Sequence, residues 1–240
     1  GVANDKVILQ NFPLENLDNL STLGNILFDG QSSIRDSFDV FDANSTQSSI
    51  FNKNTVTFLN DLNNNVNGFD NSADVINGQG GNDYINGKSG NDLLRGGDGN
   101  DTLVGSAGDD ILIGGKGSNN LSGGAGNDIL IVGNNDAYEH NDILYGGSGN
   151  DQFIYQTDST DNTIIDFNPS DDKLVLSNVF KNRGYTGSNP ITDGYLQFVQ
   201  SGTATKVNYF PYGNGAFDYT LATLNNFTAT NVVIGTNVIV

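Results

Sequence analysis

Hydrophobic and polar positions in the middle of the chain recur with one fixed, long period. Large apolar residues stand at Ile76, Ile85, Leu94, Leu103, Leu112, Leu121, Leu130, Leu144 and Phe153. Each step is nine residues except the one from Leu130 to Leu144, which is fourteen. Two residues before each apolar position stands an acid or its amide: Asp74, Asp83, Asp92, Asp101, Asp110, Asn119, Asp128, Asp142 and Asp151. Self-similarity at a fixed period marks a repeat architecture. The period divides into a six-residue loop and a three-residue strand whose central side chain points inward. The five extra residues are placed at Val132 to Asp136. The cleanest copies are Gly96-Gly97-Asp98-Gly99-Asn100-Asp101, Gly123-Gly124-Ala125-Gly126-Asn127-Asp128 and Gly146-Gly147-Ser148-Gly149-Asn150-Asp151. The consensus is G-G-x-G-N-D-x-L-x over nine units from about Phe69 to Ile154.

The flanks pattern differently. Residues 6–9, 26–28, 37–41 and 55–58 read as short strands, and residues 14–27 as a short helix closed by Asp29-Gly30. Asn63, Asn64 and Asn65 read as a loop before the repeat. Residues 194–199, 204–209 and 232–234 read as strands separated by turns rich in Gly and Asn. This divides the chain into an N-terminal flank at 1–68, the repeat at 69–154 and a β-rich cap at 155–240.

Composition sharpens the picture. There are 28 acidic against 10 basic residues among 240, a formal net charge of −18. Only Glu15 and Glu139 are glutamates, so 26 of the acids are aspartates, beside 31 glycines and 37 asparagines. Aspartate favours turns, caps and metal loops. The charge argues against nucleic acid and anionic membrane as partners. No run of apolar residues is long enough to span a bilayer as a helix. Cys is absent and His140 is the one histidine, which removes disulfides and leaves little for thiolate or imidazole metal sites. The start carries no signal-peptide pattern. The lack of Met suggests a processed chain or a piece of a longer one.

The spacing suits a hard cation. Glycines permit positive φ and close backbone approach, so carbonyl oxygens can turn into the loop beside the carboxylate. Oxygen donors without nitrogen or sulfur suit calcium. If each nonapeptide makes half a turn of a roll, as its resemblance to the RTX (repeats-in-toxin) family implies, loops on the same edge are eighteen residues apart. One edge carries Asp74, Asp92, Asp110, Asp128 and Asp151, and the other Asp83, Asp101, Asn119 and Asp142. Carboxylates stacked ~4.8 Å apart repel by roughly 3 kcal/mol at an effective dielectric near 20. Calcium binding and folding are therefore expected to be one event.

The nonapeptide resembles the RTX (repeats-in-toxin) family. The resemblance implies an all-β fold, a right-handed parallel β-roll with flanking β-rich caps, each nonapeptide making half a turn. It implies Ca2+, about five or six ions, held between same-edge loops by the nine acid positions above and by loop carbonyls. The carbonyl candidates are Gly78, Gly80 and Gly81; Gly87, Lys88, Ser89 and Gly90; Gly96, Gly97, Asp98 and Gly99; Gly105, Ser106, Ala107 and Gly108; Gly114, Gly115 and Gly117; Gly123, Gly124, Ala125 and Gly126; and Gly146, Gly147, Ser148 and Gly149. Asn119 loses a charge, which weakens the sites on either side. Residues 137–142 lack glycine, which weakens the Asp142 site. The unit at 69–74 also lacks the glycines and reads as a cap. Residues 162–177 resemble the segment that follows the roll in RTX proteases. There Asp166, Asp171 and Asp172 could close a last metal site, with plain turn chemistry around Pro169 as the alternative. The ending at residues 237–240 is similar to that of type I secretion substrates, and is equally a last strand. The family implies export by an ABC transporter, without a cleaved N-terminal signal, to an extracellular or cell-surface location.

Catalysis finds no material here. Neither H-E-x-x-H nor G-x-S-x-G occurs. Gly87-Lys88-Ser89 mimics the end of a phosphate loop, but Asn82 stands where its first glycine belongs. His140 reads as a loop residue. The expectation is a non-enzymatic calcium-binding module. Two alternatives stand beside it: a surface-assembly module of an S-layer protein or adhesin with self-association or anchoring, and the C-terminal module of a secreted enzyme catalytic elsewhere. Outward positions Val75, Leu93, Ile111, Ile113, Ile129, Ile131 and Ile154 form an apolar face expected to be covered by a flanking segment or a partner.

Overall fold

The computed structural model describes residues 38–40, 48–50, 56–133, 141–158, 161–212 and 219–240. The expected strand at 6–9, the helix at 14–27, the strand at 26–28, His140 and most of the 137–142 loop lie outside these residues.

Among the described residues there are two nine-stranded sheets, and successive strands of the repeat alternate between them. The first runs through Val75–Asn77, Leu93–Asp98, Ile111–Lys116, Ile129–Val132 and Gln152–Tyr155. The second runs through Tyr84–Ser89, Thr102–Ala107, Asn120–Ala125 and Ile143–Ser148. All these neighbours pair in parallel, with each residue opposite its counterpart one turn away, such as Leu94↔Leu112 and Leu103↔Leu121. The repeat dictates this register. Placing identical positions opposite one another stacks Ile76, Leu94, Leu112 and Leu130 from one sheet against Ile85, Leu103, Leu121 and Leu144 from the other, all with no exposed surface. The nonapeptide is too short to bury its apolar residue alone, so the core exists only through stacking.

Two features differ from the sequence expectation. The repeat strands run up to six residues rather than three: Thr102–Ala107 skips a pair at Gly105 and then resumes with Ser106↔Gly124 and Ala107↔Ala125. Glycine at that skip turns the chain inward without breaking the ladder for long. Parallel pairing also continues past both ends of the periodic segment. Val56–Phe58 pairs with Val75–Asn77, and Asn65–Asn67 with Tyr84–Ser89. At the other end Asn162–Ile164, Lys173–Val175 and Val238–Ile239 add further rungs.

The C-terminal part closes the stack. Leu196–Ser201, Ala204–Tyr209 and Tyr219–Leu224 form an antiparallel meander whose last strand lies parallel to Asn162–Ile164. Phe167 stacks between Phe153 and Phe227 with ring centroids 5.9 and 5.4 Å away, tying cap to roll. A short helix, Ser177–Asn182, buries Val179 and Phe180. Residues 232–234 are not a strand. Val233 is exposed, and its carbonyl accepts the N–H groups of Thr236, Asn237 and Val238 in a tight turn. The strand of this region is Val238–Ile239 instead. On the outer surface the seven apolar residues of the first sheet are half-buried, and Tyr84, Ile143 and Tyr145 are exposed on the second.

Leu112 sits mid-stack with no exposed surface. Leu112→Ala is expected to cost about 2–5 kcal/mol in chemical denaturation of the calcium-loaded protein. A loss under about 1 kcal/mol would show that the stacked row does not carry the core.

Candidate metal centre

Every acid position of the repeat is buried: Asp74, Asp83, Asp92, Asp101, Asp110, Asn119, Asp128, Asp142 and Asp151 are each at most 4% exposed. Their placement follows from the strands on either side, which fix the loop ends and bring loops one turn apart into contact along two edges. On each edge a carboxylate oxygen is already used. Asp92 Oδ1 accepts the N–H of Asp74 at 2.7 Å, Asp110 that of Asp92 at 2.7 Å, Asp128 that of Asp110 at 2.8 Å and Asp151 that of Asp128 at 2.8 Å. The other edge repeats the pattern from Asp83 through Asp101 and Asn119 to Asp142. These are two continuous ladders of side-chain-to-backbone bonds. Period and composition gave the acids a metal role only and missed this structural one.

The second oxygen of each carboxylate is different. Oδ2 of Asp83, Asp92, Asp101, Asp110, Asp128 and Asp151 is buried without a hydrogen-bond partner. A buried acceptor left unmatched is costly and needs a ligand or a proton. The glycines show where that ligand belongs. A Cβ added to Gly78 would lie 2.5 Å from Asp83 Oδ2 and would clash with the carbonyl oxygen of Gly96, one turn on. At Gly96 the added Cβ would clash with Asp101 Oδ2 and lie 2.5 Å from the carbonyl oxygen of Gly114. Carboxylate and first-position carbonyl oxygens therefore converge between loops, in space that only glycine leaves open. The second loop position has positive φ even where it is not glycine, at Gln79, Lys88 and Ser106. At the fourth, Gly99 has φ 143° and packs against the carbonyl of Gly81.

Side chains alone make no site: among the described residues no three of His, Cys, Asp or Glu come together. Any cation must draw on loop carbonyls. Of the third-position candidates, Ser89, Ala107, Ala125 and Ser148 each already accept one backbone N–H, from Ser72, Gly90, Gly108 and Gly126. Lys116 reaches outward to Asp98 at 2.6 Å, so the side chains of both lie on the surface. The donors are all oxygen, which fits calcium and offers little to zinc or copper.

The ends of the ladders differ from its middle. Asp74 spends both oxygens within the protein, on Ser72 Oγ at 2.6 Å and Phe69 N–H at 2.8 Å. Its loop begins at Gly68, where an added Cβ would lie 2.6 Å from Asp74 Oδ2, and so has one residue more than the repeat. At the C-terminal end Asp172 accepts the N–H groups of Asp151 and Asn168 at 3.0 and 2.8 Å. Asp166 takes the N–H groups of Gly146 and Gly147, both at 2.9 Å. Asp171 accepts from Asn168 Nδ2 on the surface. The structure thus brings Asp166 and Asp172 onto the last repeat loop and leaves Asp171 outside it. Asn162 Oδ1 ends the other ladder on Asp142 N–H at 2.8 Å.

Two further features escaped sequence reasoning. Loop position five forms its own exposed ladder: Asn63, Asn82 and Asn100 accept the N–H of Asn82, Asn100 and Ser118, each at 2.8 Å. The paired N-D of the consensus was its signal. Leu59 to Asn64 also takes the loop place one turn before Gly78 to Asp83, with Asn64 N–H donating to Asp83 Oδ1 at 2.8 Å.

Burial, more than mutual repulsion, decides how these acids ionise. It pushes Asp83 and Asp110 up to about 7 and Asp92 and Asp128 up to about 6, with nearby aspartates adding to the rise. Burial likewise raises Asp101, Asp151 and, to about 6, Asp172. In the unfolded chain such groups ionise near pH 4. Between about pH 4 and 7 the metal-free folded state therefore holds more protons than the unfolded one, and its stability falls as pH rises through that window. EGTA-treated protein is expected to gain β-signal in circular dichroism on going from pH 8 to pH 5, and its calcium midpoint should move to higher concentration. Equal or weaker β-signal at pH 5 would contradict this assignment.

Comparison with known proteins agrees with this geometry. Residues 70–94 and 95–130 match the model of the RTX calcium-binding nonapeptide repeat (4 copies), and residues 115–210 match that of the peptidase M10 serralysin C terminal. The solution structure of a subunit of the Azotobacter vinelandii mannuronan C5-epimerase is similar at 27% identity, covering 62% of this chain and 80% of that one with a TM-score of 0.43. The extracellular lipase LipA from Serratia marcescens matches at 16% identity with a TM-score of 0.32; the match covers 79% of this chain and 40% of the lipase. No curated protein matches the chain. A nonapeptide period and a two-edged parallel solenoid thus coincide with the matches: residues 70–130 carry the RTX calcium-binding nonapeptide repeat, and residues 115–210 are similar to the serralysin C-terminal domain.

Proposed function

We propose that this chain is a calcium-driven folding module of an exported protein, holding six calcium ions between the loops of its roll. The observation that carries this reading is the set of six buried, unpartnered carboxylate oxygens at Asp83, Asp92, Asp101, Asp110, Asp128 and Asp151. Each would be one ligand of an ion completed by carbonyls of the adjoining loops. RTX repeats and serralysin C-terminal domains occur in secreted proteins.

Magnitudes favour coupling of binding to folding. An ion bound only to the native state stabilises it by about 2.7 kcal/mol when free calcium is about a hundredfold above its Kd. Six such sites exceed the ~5–15 kcal/mol net stability of an ordinary domain. Removing calcium leaves buried carboxylates unmatched, so low calcium favours the open chain. A chain that is open where calcium is scarce can thread an exporter such as an ABC transporter, then fold where calcium is abundant. In this reading the residues here bind and shape and do no chemistry. A catalytic region elsewhere in a longer protein is a second reading, favoured by the match to a protease C-terminal domain over 115–210.

A calcium titration of EGTA-treated protein, followed by far-UV circular dichroism, is expected to show a cooperative coil-to-β transition between about micromolar and millimolar calcium. Magnesium should not replace it, because it demands tighter octahedral geometry. A full β spectrum in EGTA, unchanged by calcium, would sink coupled folding.

A further inference from the structure

We infer that Asn119 terminates calcium loading along one edge of the roll, and that it does so on one side only. This rests on the calcium reading of the gaps between loops. Asn119 Oδ1 accepts Asp101 N–H at 2.8 Å, just as Asp101 Oδ1 accepts Asp83 N–H at 2.8 Å. That bond fixes the amide. Turned over, its NH2 would face the Asp101 N–H, donor against donor.

Nδ2 therefore stands where the other acid positions hold Oδ2. A Cβ added to Gly114 would lie 2.8 Å from Asn119 Nδ2, as one added to Gly78 would lie 2.5 Å from Asp83 Oδ2. The same Nδ2 donates to the carbonyl of Gly117 at 3.3 Å. A donor replaces an acceptor, and it also engages a carbonyl of its own loop. Toward Asp101 the residue still presents oxygen. Toward the next gap it presents hydrogens carrying partial positive charge, which repel a cation.

The opposite edge has no such break. Asp92, Asp110, Asp128 and Asp151 form an unbroken run of unpartnered Oδ2 atoms. The edge of Asn119 has two, Asp83 and Asp101, and stops there among the described residues. In this reading calcium occupies two unequal rows, and the amide of Asn119 sets the shorter one.

Native mass spectrometry of the full chain in calcium counts the ions directly, with circular dichroism confirming the loaded fold. Asn119→Asp keeps the ladder oxygen and adds the missing acceptor, so it should bind one ion more than the parent chain. Asp101→Asn moves the break one turn earlier and should bind one fewer. An unchanged count for Asn119→Asp, with one ion lost from Asp101→Asn, overturns the inference by showing that something beyond Asn119 closes the gap. An unchanged count for Asp101→Asn overturns it whether or not Asn119→Asp folds. If the parent chain binds no calcium, the function proposed above fails instead, and the two failures are told apart.

Discussion

The fold depends on how six buried carboxylates, Asp83, Asp92, Asp101, Asp110, Asp128 and Asp151, divide their two oxygens. One is bound to the backbone N–H of the preceding turn, which locks loop to loop at the spacing of the strands. The other is left unpartnered, and for Asp83, Asp101 and Asp110 it faces a first-position carbonyl of the next turn. The first bond makes the loops stack in register. The second creates a demand that protein atoms cannot meet. A neutral residue at every acid position could keep the first without the second, as Asn119 does. Aspartate at the six positions with an unpartnered oxygen adds a buried acceptor that needs a ligand or a proton.

Glycine then follows from geometry rather than from flexibility. At the first loop position the carboxylate and the next carbonyl fill the volume a side chain would need. At the second the requirement is weaker, since Gln79, Lys88 and Ser106 tolerate positive φ there. The repeat is strict where atoms converge and looser where only the dihedral is unusual.

Much of this was legible because the solenoid repeats the same tasks at the same residue position in every turn. The nine-residue step placed Ile76 through Phe153 in the core, and the half turn per nonapeptide implied by the RTX resemblance separated the two edges. What stayed hidden was hidden by single residues. The loop Gly68 to Asp74 has one residue too many, so the rung before it falls out of step. Thr57 replaces leucine in that rung's inward place, opposite Ile76, and Leu59 replaces its first glycine. The double role of the aspartates was unreadable because both roles ask for the same side chain. In the C-terminal part each element occurs once. Packing of Phe180 on Tyr209, and pairing with Asn162–Ile164 and Ala204–Tyr209, rather than periodicity, place the Ser177–Asn182 helix and the Tyr219–Leu224 strand.

A parallel solenoid is by construction an unfinished fibre, since each rung offers the next one a template of open backbone groups. Here one sheet ends in the two-residue strand Val238–Ile239, and the other turns into an antiparallel meander whose outermost strand is Leu196–Ser201. Reversing strand direction presents a hydrogen-bond pattern that another roll's parallel rung does not match. The cap that closes the core therefore withholds, on this sheet, the parallel template that each earlier rung offers its neighbour.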